Sequence, residues 1–165
     1  MQKPELDQHV SEMAALARQL EGHLIPKEAA LLAVLPFLPM AGEILEIGSF
    51  KGKSTVILAK SVQAAGSSRM FACDPLSLPS ETDPTEANRE ELPAIFRRNL
   101  LRHGVSDVVE VRQMKSADLA ADWELPLRVL WIDGDHTYVG ATQDVRLFQR
   151  HLVPVAVVCL HDVLH

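Results

Sequence analysis

The sequence has no surplus of positive charge and few cysteines. Its 165 residues include 16 Lys and Arg against 22 Asp and Glu, for a formal net charge of −6. This balance offers little attraction for phosphate backbones or anionic lipid, so we expect neither nucleic acid nor a membrane surface as a partner. The two cysteines, Cys73 and Cys159, lie at the ends of apolar runs without metal-ligand or disulfide-scaffold spacing. We expect both to be reduced and buried, in a cytoplasmic protein.

Long apolar segments are also missing. The first residues, MQKPELDQHVSEM, contain no apolar core, and the longest apolar stretch, LLAVLPFLPM, is short and interrupted by Pro36 and Pro39. We therefore expect neither a signal peptide nor a membrane span. The composition, 47% hydrophobic and 23% charged residues over 165 positions, is typical of one globular domain with a single core, spanning 1–165.

Short apolar runs alternate with longer segments of helical periodicity after residue 42. Before them, apolar residues at helical spacing predict two helices within 1–40. The predicted strands are 43–48, 69–74, 108–112, 128–133 and 155–160, and the predicted helices between them are 53–65, 85–103, 116–122 and 138–152. Because the strands are apolar on both faces, the alternation predicts an α/β core over 43–162, a parallel sheet with helices on both faces. The polar segment 76–91 predicts a loop over the carboxyl edge of this sheet.

The last predicted strand, 155–160, is followed by only five residues. An apolar strand at the edge of a sheet leaves a row of backbone groups unpaired. Either another chain covers this strand or the strands that would cover it are absent from the sequence. We expect a homo-oligomer formed through this strand.

The first predicted strand leads into a glycine-bearing turn, EIGSFKGKST, that departs from the phosphate-binding motifs. A dinucleotide fingerprint requires glycines where Phe50 and Lys53 stand, and a P-loop requires one more residue between its glycines. The turn therefore favours a ligand without phosphate. Glu46 precedes the turn and Asp74 ends the second strand, where a carboxylate can hold both hydroxyls of a ribose, so the pair suits a cationic nucleoside. The alternative for each is a structural role, Glu46 as an ion-paired strand residue and Asp74 as a cap of its turn.

Two further acids, Asp133 and Asp162, follow the fourth and fifth predicted strands. Neighbouring strands lie about 4.8 Å apart, so these carboxylates can converge on one point. Hard oxygen ligands suit Mg²⁺ or Ca²⁺, although His136 and His161 nearby leave a transition metal open. Asp135 is either a third ligand or a cap of the loop or helix that follows.

His136 is the candidate general base. Imidazole titrates near neutral pH, and the position faces the expected cleft at the carboxyl edge of the sheet. The alternative for His136 is a loop histidine hydrogen-bonded to the backbone.

Four segments in order resemble the motifs of class I S-adenosylmethionine-dependent methyltransferases. They are LEIGSFKGKST, ACDP, VLWIDGDHTYVGATQDV and VVCLHD, within 43–162. More narrowly, they resemble the branch that contains macrocin O-methyltransferase-like and cephalosporin hydroxylase-like proteins, and IDGDHTY is the most specific part. The resemblance implies a Rossmann-like, doubly wound sheet preceded by N-terminal helices. The family's sheet has two more strands after the fifth, which this chain apparently lacks.

The resemblance also implies which residues bind. Cofactor contacts are expected at the carboxyl edge of the sheet, from Glu46, Gly48, Ser49, Gly52, Asp74, Ser116 and Asp133. The first four of these would contact the methionine part of S-adenosylmethionine, Asp74 the ribose and Ser116 the adenine. A divalent cation is expected on Asp133, Asp162 and His161.

The implied activity is transfer of the sulfonium methyl group to a hydroxyl of a small molecule, such as a sugar or a secondary metabolite. The cation on Asp133 and Asp162 would lower the pKa of the hydroxyl, and His136 would accept its proton. The alternative is a catalytically silent cofactor-binding or assembly module with the same fold. The missing glycines disfavour an NAD-dependent oxidoreductase.

Overall fold

A computed structural model describes residues 3–67, 69–77 and 91–162 of the protein. The strands are β1 (Glu43–Ile47), β2 (Met70–Cys73), β3 (Val109–Arg112), β4 (Leu127–Ile132) and β5 (Leu152–Leu160). The helices are α1 (Lys3–Ala17), α2 (Pro26–Val34), α3 (Lys53–Ala64), α4 (Leu92–Arg102), α5 (Ser116–Ala121) and α6 (Tyr138–Phe148). Strands and helices alternate from β1 onward, which confirms the predicted α/β pattern.

The strands form one sheet in the order β3-β2-β1-β4-β5, and every neighbouring pair is parallel. The first strand, β1, lies in the middle of the sheet. The next two strands, β2 and β3, are added on one side of β1, and the chain then crosses to the other side of β1 to form β4. Ligands of open parallel sheets bind at this switch point, beyond the carboxyl ends of the strands. The edge at β1 and β4 is therefore where a site is expected.

Two apolar clusters cover the two faces of the sheet. Ile44 of β1 belongs to the cluster formed with α1 to α4, and the next residue, Leu45, belongs to the cluster formed with α5 and α6. Successive side chains of a strand point to opposite faces, and both are 0% exposed here. Burial on both faces explains why a central strand such as β2 is apolar along its whole length, and it confirms the doubly wound Rossmann-like fold.

The two predicted N-terminal helices are present as α1 and α2. Pro26 stands at the start of α2, where a missing backbone N–H is tolerated. The Glu28 side chain reaches back and accepts the Ile25 N–H over 2.8 Å at Oε2. The helix buries Ala29 and Leu32 in the cluster that covers α3. None of the described helices combines the length and the apolarity that a membrane crossing requires.

Two predicted boundaries differ from the structure by several residues, and a third is untested. Residues 78–90 lie outside the described residues, so the predicted start of the fourth helix and most of the predicted loop 76–91 are untested. Helix α6 ends at Phe148, and 149–151 form a short 3₁₀ turn instead of a continued helix. Strand β5 begins at Leu152, earlier than predicted, because it accommodates Pro154 and a left-handed Val155 (φ 62°) next to a register shift in its pairing with β4. Proline is tolerated at a sheet edge, where no ladder hydrogen bond is lost.

Strand β5 forms one edge of the described sheet. It pairs with β4 on one side, and Val155 and Leu160 are 80% and 41% exposed. Pairing of this edge with another chain stays a prediction. The thiol of Cys73 is buried and that of Cys159 half-buried, and neither forms a disulfide within the described residues.

Candidate active site

The turn between β1 and α3 requires a glycine at position 48. Gly48 and Gly52 have φ values of 82° and 86°, and Phe50 between them also has a positive φ of 46°. A Cβ added to Gly48 would lie 2.2 Å from the backbone oxygen of Asp133, far inside any contact distance. The turn is therefore packed directly against the end of β4, which brings the predicted cofactor loop and the second predicted site together.

The Asp74 carboxylate holds this turn in place. Its Oδ2 accepts the backbone N–H groups of Ser49 over 2.7 Å and of Phe50 over 2.8 Å. Its Oδ1 accepts the N–H of Leu76 over 2.7 Å. Asp74 is thus a cap of its own turn, one of the two expected roles, and it also fixes the glycine turn. The ribose contact stays a prediction.

Glu46 is fully buried, at 0% exposed, on the face of β1 that α3 covers. Its Oε2 accepts the hydroxyls of Ser49 over 3.0 Å and Thr55 over 2.5 Å, whereas its Oε1 is buried without a hydrogen-bond partner. Burial raises the pKa of Glu46 to about 7, against the opposing effect of these hydroxyls. Its described partners are hydroxyls, so the ion-paired alternative is not what the structure contains.

Asp133 and two histidines converge at the end of β4. The Asp133 N–H donates to the Ile47 carbonyl over 2.8 Å, and the His161 N–H donates to the Ile132 carbonyl over 3.0 Å. These bonds place the ends of β1, β4 and β5 side by side. Asp133 Oδ1 then lies 3.2 Å from His136 Nε2 and 2.8 Å from His161 Nδ1. The structure thus brings Asp133 together with the two histidines, whereas the predicted convergence of Asp133 with Asp162 stays a prediction.

His161 lies between carboxylates. Its side chain is 5% exposed, and its Nε2 lies 3.1 Å from Glu28 Oε2. On the other side of the ring, Nδ1 lies 2.8 Å from Asp133 and 3.4 Å from Asp162 Oδ2. The contact with Asp133 outweighs desolvation and raises the pKa of His161 to about 9. Nothing in the sequence signalled Glu28, because the pair is 133 positions apart and meets only through folding.

The donor atoms of Asp133, His136 and His161 all lie within 4.8 Å of one another and could hold a metal ion. Two imidazole nitrogens and one carboxylate suit a borderline transition metal, whereas Mg²⁺ prefers oxygen ligands. The predicted set for a hard cation therefore does not match the group that the structure brings together, where His136 stands instead of Asp162. Asp135 accepts the Thr137 N–H over 2.9 Å and so caps the loop, one of its two expected roles.

Ser116, the predicted adenine contact, begins α5 after the end of β3. Its hydroxyl donates to Asp144 Oδ1 on α6 over 2.6 Å. Asp144 is 6% exposed, and burial raises its pKa above the ordinary range. This bond joins α5 to α6 on the face of the sheet opposite α3. The adenine contact stays a prediction.

Comparison with known proteins agrees with this geometry. A family model described as a methyltransferase domain matches residues 45–163. Similar folds include a putative O-methyltransferase from Klebsiella pneumoniae (24% identity, TM-score 0.65) and the O-methyltransferase TomG from Streptomyces achromogenes, involved in tomaymycin synthesis and solved with S-adenosylmethionine (20%, 0.64). Another is an O-methyltransferase from Bacillus cereus in complex with S-adenosylhomocysteine (24%, 0.62). Each comparison covers 97% of this chain and 66% of the other.

The family match runs over nearly the whole sheet and includes all four quoted motifs in full. It confirms the resemblance to class I methyltransferases, while the narrower macrocin and cephalosporin hydroxylase branch stays a prediction. On the match over 45–163, the chain belongs to the methyltransferase-domain family.

Proposed function

We propose that this protein transfers a methyl group from S-adenosylmethionine to a hydroxyl of a small molecule. One observation carries the proposal: the glycine turn at Gly48 is packed against Asp133, so the predicted cofactor loop adjoins the Asp133–His136 pair. Methyl donor and proton acceptor would then meet at one point on the sheet edge. Holding two reactants in line supplies up to about 7–11 kcal/mol of the barrier reduction.

The residues of the turn suit S-adenosylmethionine, which supplies a methyl group on a sulfonium when bound. Buried Glu46 has one carboxylate oxygen without a partner, which favours a cationic or hydroxyl-bearing ligand group nearby. The backbone at Gly48 and Gly52 permits close approach of a ligand. The cofactors bound to the Streptomyces and Bacillus structures support the same assignment.

In the proposed reaction, the acceptor oxygen forms a bond to the methyl carbon as the bond from carbon to sulfur breaks, and the sulfur keeps the electron pair. His136 takes the hydroxyl proton. With His136 Nε2 at 3.2 Å from Asp133 Oδ1, the carboxylate orients the ring, so Nδ1 is the nitrogen that accepts the proton. A positioned base of this kind contributes about 10²–10⁴-fold.

The residues that could hold a metal differ from the set that the sequence predicted. Two imidazole nitrogens and one carboxylate do not fit Mg²⁺, so Mg²⁺ has no part in the proposed reaction. A transition metal held by Asp133, His136 and His161 would supply positive charge near the acceptor. His136 would then be a ligand of the metal and not the base.

Separate observations support the acceptor, the location and the oligomeric state. TomG's part in tomaymycin synthesis favours a secondary metabolite as the acceptor. We propose a cytoplasmic location, which the free thiols Cys73 and Cys159 support. We also propose that the exposed edge of β5 pairs with a second copy of the chain, because an open apolar edge favours strand pairing.

Thermal shift with four ligands tests the proposal. S-adenosylmethionine and S-adenosylhomocysteine, at about a hundred times their dissociation constant, should each add about 2.7 kcal/mol of stability, and NAD and ATP should add none. Transfer of tritiated methyl to catechol and to a sugar nucleotide then tests the reaction. Stabilisation by NAD alone would overturn the proposal. Cofactor binding without transfer to any hydroxyl acceptor would favour the catalytically silent module.

A further inference from the structure

Glu28 belongs to an N-terminal helix, yet it reaches the carboxyl edge of the sheet through His161. Its Oε2 lies 3.1 Å from His161 Nε2, and His161 Nδ1 lies 2.8 Å from Asp133 Oδ1. The same Asp133 oxygen lies 3.2 Å from His136 Nε2. Four side chains, Glu28, His161, Asp133 and His136, therefore form a continuous series of contacts from α2 to the candidate base.

We propose that Glu28 is a positioning residue for the methyl transfer. It fixes the ring of His161, which fixes the Asp133 carboxylate, which in turn orients His136. This inference rests on the proposed function for the role of His136, but the contacts themselves do not depend on it.

The His161 ring has one orientation because each of its nitrogens faces a carboxylate. The ring is 5% exposed and packs against Trp131, with ring centroids 5.6 Å apart. His161 Nδ1 has no well-aligned hydrogen bond among the described residues, although it lies close to Asp133. The bond to Glu28 is therefore the directional contact that holds the ring. A carboxylate on the far nitrogen is the usual device for orienting a functional histidine, and removing it typically costs about 10–100-fold in activity.

Glu28 also lies outside residues 45–163, the segment that the family model matches. The same oxygen that contacts His161 accepts the Ile25 N–H at the start of α2. One oxygen thus contacts both the start of α2 and the ring of His161. The N-terminal helices supply part of the site in addition to covering α3.

Three variants of the whole chain test the proposal. Glu28→Ala removes both contacts, and Glu28→Gln keeps an acceptor oxygen for the ring. Ala30→Gly, in the same helix, weakens α2 by about 1 kcal/mol and replaces none of the four side chains, so it is the matched control for loss of the cap. The histidine ring signals are followed by long-range ¹H–¹⁵N spectra, assigned with His136→Gln and His161→Gln. Steady-state kinetics are measured with the acceptor that the methyl-transfer assay identifies.

Glu28→Ala should shift the ring signals of both His161 and His136 and lower kcat by about 10-fold or more, with KM for S-adenosylmethionine unchanged. Glu28→Gln should restore most of kcat, and Ala30→Gly should leave kcat and the His136 signals as in the wild type. Equal effects of Glu28→Ala and Ala30→Gly on kcat and on His136 would overturn the proposal. If the wild type transfers no methyl group, the proposed function fails, while the ring signals still decide whether Glu28 orients the series.

Discussion

The backbone N–H of Ser49 donates to the Asp74 side chain over 2.7 Å, joining the turn after β1 to the end of β2. A single oxygen, Oδ2, accepts this bond and the one from Phe50. The second oxygen accepts Leu76 N–H over 2.7 Å. The carboxylate accepts three backbone N–H groups and so fixes the glycine turn without a ligand. The shape of the turn therefore depends on the charge and on both oxygens of Asp74.

Asp74→Asn tests this dependence. An amide has one acceptor oxygen, and its NH₂ group would face backbone donors, so we expect a loss of about 1–3 kcal/mol in the free energy of unfolding and weaker binding of S-adenosylmethionine. Urea unfolding and calorimetric titration measure the two effects. Asp122→Asn, an exposed acid after α5, is the matched control. Wild-type stability of Asp74→Asn would contradict the role of Asp74 in the turn.

Gly48→Ala tests the close approach of the turn to β4. The added Cβ would lie 2.2 Å from the Asp133 oxygen at a φ of 82°, so we expect a loss above about 4 kcal/mol, among the largest for single substitutions. Gly66→Ala is the control, because Gly66 has a φ of 71° but nothing within 4 Å of the added Cβ. Its backbone strain alone should cost about 1–2 kcal/mol. Similar losses for the two variants, measured by urea unfolding, would refute the packing argument.

The buried Glu46 carboxyl makes stability depend on pH. Its pKa is raised from 4.5 to about 7, so the folded state binds the proton more tightly than the unfolded state does. The free energy of unfolding should fall as pH rises through this window, by at most about 3 kcal/mol. Glu46→Gln cannot lose a proton and should flatten the fall. Unfolding curves at pH 5 to 8 measure it, and an unchanged slope in the variant would contradict the raised pKa.

Substitutions of Asp133 and His136 should lower turnover without weakening the binding of S-adenosylmethionine. His136→Gln removes the base and should lower kcat by about 10²–10⁴-fold, while S-adenosylmethionine still binds. Asp133→Asn should also abolish most turnover and leave cofactor binding nearly intact. His103→Gln, at the end of α4, is the control histidine. Calorimetric titration measures the binding, and methyl-transfer assays measure the turnover. Equal loss of binding and turnover in Asp133→Asn would show that Asp133 has a structural role.

The outer edge of β5 predicts self-association. Light scattering after size exclusion should give a dimer, and Val155→Lys should give a monomer, because a charged residue on an edge strand opposes pairing. Val155 is 80% exposed. Val139→Lys, at a residue 72% exposed on α6, is the matched control and should remain a dimer. A soluble wild-type monomer would contradict pairing through β5.

Most of the fold was predictable because the central strands β1, β2 and β4 are buried on both faces, whereas the segments between the strands carry apolar residues at helical spacing. This difference in apolar period located all five strands and the order of the elements along the chain. The start of β5 was not predictable, since Pro154 and the left-handed Val155 depend on the register with β4. Proline in a run of strand-like residues ordinarily argues against a strand.

The site was predictable as far as it follows the strands. Gly48, Asp74 and Asp133 each follow a strand end, and parallel strands bring their ends to one edge. The partners of these residues were not predictable. Thr55, which donates to Glu46, and Glu28, which contacts His161, are placed by helix packing and carry no local signal.

The central claim is that the glycine turn beside Asp74 binds S-adenosylmethionine, and isothermal titration calorimetry tests it most directly. The account predicts one molecule of S-adenosylmethionine or S-adenosylhomocysteine bound per chain, with binding weakened in Asp74→Asn and retained in His136→Gln. Absence of binding by both ligands to the folded wild-type protein would contradict it.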